Sequence, residues 1–327
     1  MTLQMRPLGR TGASVSVLGY GAMELRGSPR RPTRTGPPQP PVEPAAAGRL
    51  LNEALDAGIN LIDTSIDYRR SEKFIGRFVA HRRDEYFLAS KCGCPVGSRR
   101  LRRAAPHDYR PANVRAGVEQ SLRRLRTDRL DLVQVHESPS RDRLEADGTI
   151  ETLSELRTQG KVRFIGMSGT LPQLPEHIAM GVFDVVQIPY SAVQREHEHL
   201  ITAAAQAGAG TLIRGGVARG AMADGKDWQY KPLDLPAGEG ERRWTAAGIA
   251  DLLGDMTPLE FMLRFTISHP GLSTAIVGTS RLDHLRANIA FAAKGPLPAD
   301  LYARARQLLA PAARIRRPGG SFTRPGG

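Results

Sequence analysis

Four side chains stand at the ends of short apolar runs in this chain: Asp63, Tyr68 five residues on, Lys91 and His136. A free tyrosine gives up its proton only near pH ~10. A neighbouring ammonium such as Lys91 favours the phenolate and eases that release. Asp63 would keep the lysine charged and oriented, and His136 could hydrogen-bond a carbonyl group and place it. A carbonyl held in this way is polarised but still needs a hydride, which no side chain supplies and a nicotinamide does. Each residue also has a plain structural reading: a turn cap, a packing aromatic, a solvated end charge, a satisfied half-buried histidine. Their recurrence at successive strand ends is what favours chemistry.

The elements that must position them alternate along the chain. Strands are expected at Val15–Tyr20, Asn60–Asp63, Tyr86–Lys91, Leu130–His136, Val162–Ser168, Val185–Ile188, Gly210–Ile213 and Thr274–Gly278. Helices are expected at Ala45–Ala57, Ser71–Arg82, Pro111–Leu125, Thr149–Thr158, Leu174–Met180, His197–Ala207, Pro258–Ser268 and Leu282–Ala293. Apolar runs between helices mark strands buried on both faces of a parallel sheet. About eight strand–helix units close into a (β/α)8 TIM barrel of ~250 residues, with chemistry on the face where the strands end. Residues 1–310 then form one barrel domain, opened by a β-hairpin turning at Gly9–Gly12 and closed by a C-terminal extension with a helix at Leu297–Leu309. A proline-rich insertion fills 27–44, and a basic Gly/Pro-rich tail, expected to be disordered, fills 311–327.

Composition narrows the partners. The net charge is +13, and with only six lysines, arginine supplies 40 of the 46 basic residues. Aromatics are 6% and do not interleave with the basic residues, so the charge reads as exposed faces and no nucleic-acid partner is expected. No run approaches the ~18 apolar residues of a membrane span. Cys92 and Cys94 are the only cysteines, which fits reduced thiols and a cytoplasmic setting.

Longer stretches carry a resemblance. Residues 57–77, 87–92, 121–138, 161–169 and 275–289 resemble, in order, the signatures of the aldo-keto reductase family. The resemblance implies that Asp63, Tyr68, Lys91 and His136 are a catalytic tetrad, with Tyr68 the general acid in reduction. It implies NADPH (NADP+), rather than NADH, held extended at the barrel mouth, and an aldehyde or ketone substrate. Ser168 and Gln187 match positions that hold the nicotinamide carboxamide, together with Asp63, and Arg214 matches one stacked on the ring. Gly278, Thr279, Ser280 and Arg281 match the loop over the adenosine phosphate, Asn288 an adenine contact, and Gly21, Ala22 and Met23 a main-chain approach to the cofactor. Gly169 stands where the family often has asparagine, and Gly278 and His284 stand where subfamilies carry basic residues.

Other arrangements point elsewhere and carry less. A cofactor-binding sensor or regulatory subunit with the same barrel is the alternative to an enzyme. Gly19–Glu24 lacks the third glycine of a dinucleotide fingerprint, and Gly166–Thr170 the second glycine of a nucleophile elbow. His197 and His199 are two apart, so they read as a solvated helix start rather than metal ligands. Cys92 and Cys94 have no evident partners by spacing, and no metal is expected. Arg99, Arg100, Arg102 and Arg103 read as an exposed loop by the substrate entrance.

Overall fold

The structure, a computed structural model, describes residues 2–26, 42–96, 106–218 and 238–309. An antiparallel hairpin, β1 (Met5–Pro7) and β2 (Ser14–Ser16), precedes the barrel. Eight parallel strands follow: β3 (Leu18–Gly21), β4 (Leu61–Asp63), β5 (Phe87–Cys92), β6 (Leu130–Val135), β7 (Val162–Ser168), β8 (Val185–Pro189), β9 (Gly210–Arg214) and β10 (Thr274–Val277). Each pairs with the next, and β10 closes the ring on β3. The helices are α1 (Pro44–Asp56), α2 (Ser71–Phe78), α3 (Pro111–Leu125), α4 (Arg141–Ala146), α5 (Thr149–Thr158), α6 (Leu174–Ala179), α7 (Glu198–Gln206), α8 (Glu239–Ala246), α9 (Pro258–Ile267), α10 (Leu282–Ala293) and α11 (Ala299–Leu308). The expected (β/α)8 class is the observed one.

Alternation along the strands explains where polar groups sit. Leu61, Phe87, Ala89, Leu132, Val185, Leu212 and Ile276 share one buried cluster inside the ring, with Phe164 packed against it. Side chains two residues apart on a strand share a face. The next inward positions toward the strand ends are therefore Asp63, Lys91, Gln134, Gly166, Gln187 and Arg214. An apolar floor thus carries a polar upper layer. The floor is sealed from below: Leu8 and Val15 of the hairpin are fully buried in the same cluster. Gly9 makes that seal possible, since at φ +50° a Cβ there would lie 2.1 Å from the Gly210 nitrogen. Arg10 anchors the hairpin by donating to the carbonyls of Gly181 (2.8 Å) and Phe183 (2.6 Å).

Several boundaries differ from expectation. The first strand divides: Val15 belongs to the hairpin, and the barrel strand begins at Leu18. The helix expected over Ser71–Arg82 ends at Phe78, because Val79 leaves helical geometry (φ −135°, ψ 7°) and a 3-10 segment covers Ala80–Glu85. From that bend Arg83 reaches Asp131 at 2.6 Å and the Tyr86 carbonyl at 2.9 Å. The short helices α4 and α8 were not expected. Capping explains one that was: Pro258 opens α9 because the Thr257 hydroxyl accepts from the Glu260 N–H at 3.2 Å. Residues 27–41 of the insertion, the arginines at 99–103 and the 311–327 tail lie outside the described residues. Among the described residues no helix is long and apolar enough to cross a membrane.

Candidate active site

The polar layer is built around one carboxylate. Asp63, at the end of β4, accepts from Lys91 Nζ through Oδ2 at 2.7 Å. Its Oδ1 accepts from Gln134 Nε2 at 2.8 Å and from Gln187 Nε2 at 3.1 Å. Gln187 in turn accepts from the Ser168 hydroxyl at 3.0 Å. Lys91 also donates to the Thr64 carbonyl at 2.8 Å, and its side chain is only 1% exposed. A charge this deep persists only when paired and hydrogen-bonded. Burial works to discharge Lys91, but the attraction and hydrogen bond of Asp63 outweigh it and raise its pKa above the ordinary lysine value.

Tyr68 lies in the turn between β4 and α2, half-buried, with Lys91 Nζ 5.0 Å from its ring centroid and the Arg26 guanidinium 6.0 Å from it. The two cations lower its pKa as the sequence argument requires. The larger effect is burial, which with Asp63 and Asp67 raises the net value above that of a free phenol. Burial rather than the cations therefore sets the net direction. In this state Tyr68 keeps its proton, which is the form a proton donor needs.

His136 follows β6 at the same end. Its main chain is held by the Cys92 carbonyl, which accepts its N–H at 3.2 Å, and by the Tyr109 hydroxyl, which donates to its carbonyl at 2.6 Å. Burial, with Lys91, His107 and Arg214, drives its pKa far below the ordinary histidine value despite the opposing pull of Asp67, so the imidazole is neutral. Its Nδ1 lies 3.2 Å from Cys94 Sγ and 3.3 Å from His107 Nε2. Spacing gave Cys94 no partners; the fold supplies two, because the segments after β5 and β6 converge.

The opposite rim is made of main chain. Gly21 ends β3 and Gly278 directly follows the adjacent β10, and a Cβ on Gly278 would lie 2.6 Å from the Gly21 oxygen. The Tyr20 hydroxyl donates to the Thr279 carbonyl at 2.9 Å, fixing the loop. Ala22 is buried and Met23, Ser280 and Asn288 are half-buried. Arg281 immediately precedes the 12-residue helix α10, its guanidinium exposed and paired with Asp283. Exposed glycine backbone, a helix N-terminus and a nearby guanidinium suit the phosphates of a dinucleotide.

Sequence reasoning missed two contributors. Gln134 is an inward polar residue at the same parity as Leu132 and His136, and that alternation was the available signal. Arg26 had none. The Ser71–Glu72 pair of the signature acts as a staple. Ser71 donates to the Ala22 carbonyl at 2.9 Å, while Glu72 accepts from Ser90 (3.0 Å), Ser121 (2.6 Å) and Arg124 (3.2 Å). The solvated histidine expected at 197 is instead buried, its Nε2 accepting from the Leu171 N–H at 3.1 Å.

The sequence profile of the Aldo/keto reductase family matches residues 17–310, and the chain belongs to that family. It is 27% identical over 303 residues to L-galactose dehydrogenase of Arabidopsis thaliana, covering 88% of each chain. It is 29% identical over 286 residues to pyridoxine 4-dehydrogenase of Escherichia coli, covering 85% of this chain and 89% of that one. A solved aldo-keto reductase from Bacillus halodurans, in its holo form, superposes with a TM-score of 0.79 at 27% identity, covering 96% of this chain and 99% of the other. The chain is an NAD(P)H-dependent oxidoreductase of small-molecule carbonyl compounds.

Proposed function

We propose that this enzyme reduces aldehydes or ketones with NADPH, and that Asp63, Tyr68, Lys91 and His136 carry the chemistry within a single domain spanning residues 1–310. The observation that carries the reading is Lys91 Nζ, held 2.7 Å from Asp63 and 5.0 Å from the Tyr68 ring at the barrel mouth. NADPH, when bound, supplies the hydride. Tyr68 delivers its proton to the carbonyl oxygen, and Lys91 stabilises the phenolate that remains. Asp63 keeps Lys91 charged and aimed. Neutral His136 donates a hydrogen bond to the carbonyl, polarising it and fixing its angle.

Ser168, Gln187 and Arg214 would hold the nicotinamide end, and Gly21–Met23, Gly278–Arg281 and Asn288 the remainder. NADPH is favoured by Arg281, whose guanidinium can leave Asp283 for a 2′-phosphate carrying about two charges beside a helix N-terminus. A relative in Escherichia coli, 28% identical over 208 residues, is an NADH-specific methylglyoxal reductase, so this contact is the one to test for preference. Two free, buried cysteines fit a reducing, cytoplasmic compartment.

Tyr68→Phe tests the assignment. Loss of a positioned proton donor costs typically ~10²–10⁴-fold in rate. NADPH consumption with a panel of aldehydes should fall by that factor, while NADPH binding followed by fluorescence stays nearly unchanged. Turnover close to the parent enzyme would reject Tyr68 as the acid. Tight NADPH binding without turnover of any carbonyl by the parent enzyme would favour a sensor instead.

A further inference from the structure

We propose that Cys94, His107 and His136 form a binding site for a thiophilic divalent cation of the zinc class. Cys94 Sγ lies 3.2 Å from His136 Nδ1 and 3.5 Å from His107 Nε2, and the two nitrogens are 3.3 Å apart. A tetrahedral zinc ion with bonds of ~2.3 Å to sulfur and ~2.0–2.1 Å to nitrogen sets ligand-to-ligand edges of about 3.3–3.6 Å. The three atoms therefore already form one face of such a tetrahedron, to within a few tenths of an ångström.

Hydrogen bonding alone serves this triangle poorly. The thiol carries one proton, and each ring nitrogen presents either a proton or a lone pair. Any allocation of protons leaves at least one of the three close contacts without a hydrogen bond. A single cation satisfies all three together, each ligand turning a lone pair toward it.

The ligands are held from behind. Asp108 donates its N–H to the Gly93 carbonyl at 2.8 Å, tying the residue after His107 to the one before Cys94. Asn113 Nδ2 donates to the Cys94 carbonyl at 3.3 Å while its Oδ1 accepts from the Val96 N–H at 2.9 Å. The His107 ring stacks on Tyr109 at 6.0 Å, and Tyr109 holds the His136 main chain. Such support keeps a ligand set in register.

The charges also balance. Binding displaces the thiol proton to solvent, giving a thiolate–metal bond with no change of oxidation state. Asp67, which accepts from Ser65 at 2.6 Å, acts electrostatically on all three ligands and adds a second negative charge against the dication. A sulfur and two imidazole nitrogens suit a soft or borderline cation, so magnesium and calcium, which prefer oxygen ligands, are excluded. Three protein ligands leave a fourth position for water or a ligand oxygen. Coordination through Nδ1 also leaves the ring proton of His136 on Nε2.

The test is titration of the EDTA-stripped protein with Co²⁺. One equivalent should produce the visible bands of a tetrahedral site together with a thiolate-to-cobalt charge-transfer band, and Zn²⁺ should bleach both. Cys94→Ser should lose the charge-transfer band, and His107→Ala should weaken binding by more than an order of magnitude. Both variants are checked for folding by their metal-free Tm. An octahedral spectrum from the parent protein, or a charge-transfer band that survives Cys94→Ser, overturns the proposal. The parent titration decides the matter even if a variant fails to fold. Carbonyl reduction measured in EDTA is an independent readout, so failure of the metal site and failure of the reductase reading are told apart.

Discussion

Replacing Lys91 by methionine removes the ammonium while keeping much of the side chain's volume. Two consequences can be sized. The charge lies 5.0 Å from the Tyr68 ring centroid. At an effective dielectric of ~20, a unit charge ~5 Å from a developing phenolate stabilises it by about 3 kcal/mol, or ~2 pKa units. Transition-state stabilisation lost on that scale slows reduction by ~100-fold. The second consequence falls on stability. Asp63 keeps its two amide donors, Gln134 and Gln187, but loses the cation at 2.7 Å. Breaking a buried pair from one side costs about 3–5 kcal/mol, and the remaining amides should hold the cost near the lower figure. Single-turnover reduction at saturating NADPH reads the first effect, and urea unfolding the second. The pH profile of alcohol oxidation, in which Tyr68 acts as base, should move its inflection upward by ~2 units. A folded Lys91→Met protein with kcat within a few-fold of the parent would refute the reasoning, because the cation would then be irrelevant to proton transfer.

Arg281→Ala should raise the Kd for NADPH tenfold or more, ~1.4 kcal/mol, and leave NADH little changed; equal losses in a fluorescence titration would remove Arg281 from the phosphate. Gly278→Ala places a Cβ 2.6 Å from the Gly21 oxygen, so adjacent strand ends must part, costing about 1–3 kcal/mol in urea unfolding and weakening cofactor binding. His269 is 2% exposed, and burial lowers its pKa to about 4, so it stays neutral in the fold while the unfolded chain takes up a proton below pH ~6.5. More protons on the unfolded chain mean that stability falls as pH drops from ~6.5 toward ~4, by at most ~1.4 kcal/mol per pH unit from this group. His269→Gln should flatten that slope in unfolding measured across the window; an unchanged slope would assign the acid sensitivity elsewhere.

The barrel was legible because its strands are short apolar runs whose inward positions end in polar residues, Asp63 after Leu61 and Lys91 after Ala89. Periodicity carries that information locally. Pro111, Thr149 and Leu282 open the helices where expected, since start signals are also local. The end of α2 was misplaced because the bend at Val79 answers to Arg83 reaching Asp131, a contact across 48 residues. The same limit hid the Cys94–His107–His136 triangle: its members are 13 and 29 residues apart, a spacing that means nothing until two strand-end segments meet. Tyr68 shows a subtler limit. The type and neighbour of the phenol could be read, but the sign of its net shift depends on how much protein surrounds it, and a linear pattern does not carry that quantity.

The hairpin that plugs the barrel base has a practical consequence. Whatever is fused ahead of Met5 leaves the molecule on the side away from the strand ends. An amino-terminal tag, surface anchor or fusion partner therefore hangs beneath the cylinder, leaving the cofactor and carbonyl approach unobstructed. The same geometry lets the rim be redesigned by library mutagenesis while Leu8, Gly9 and Val15 keep the base watertight.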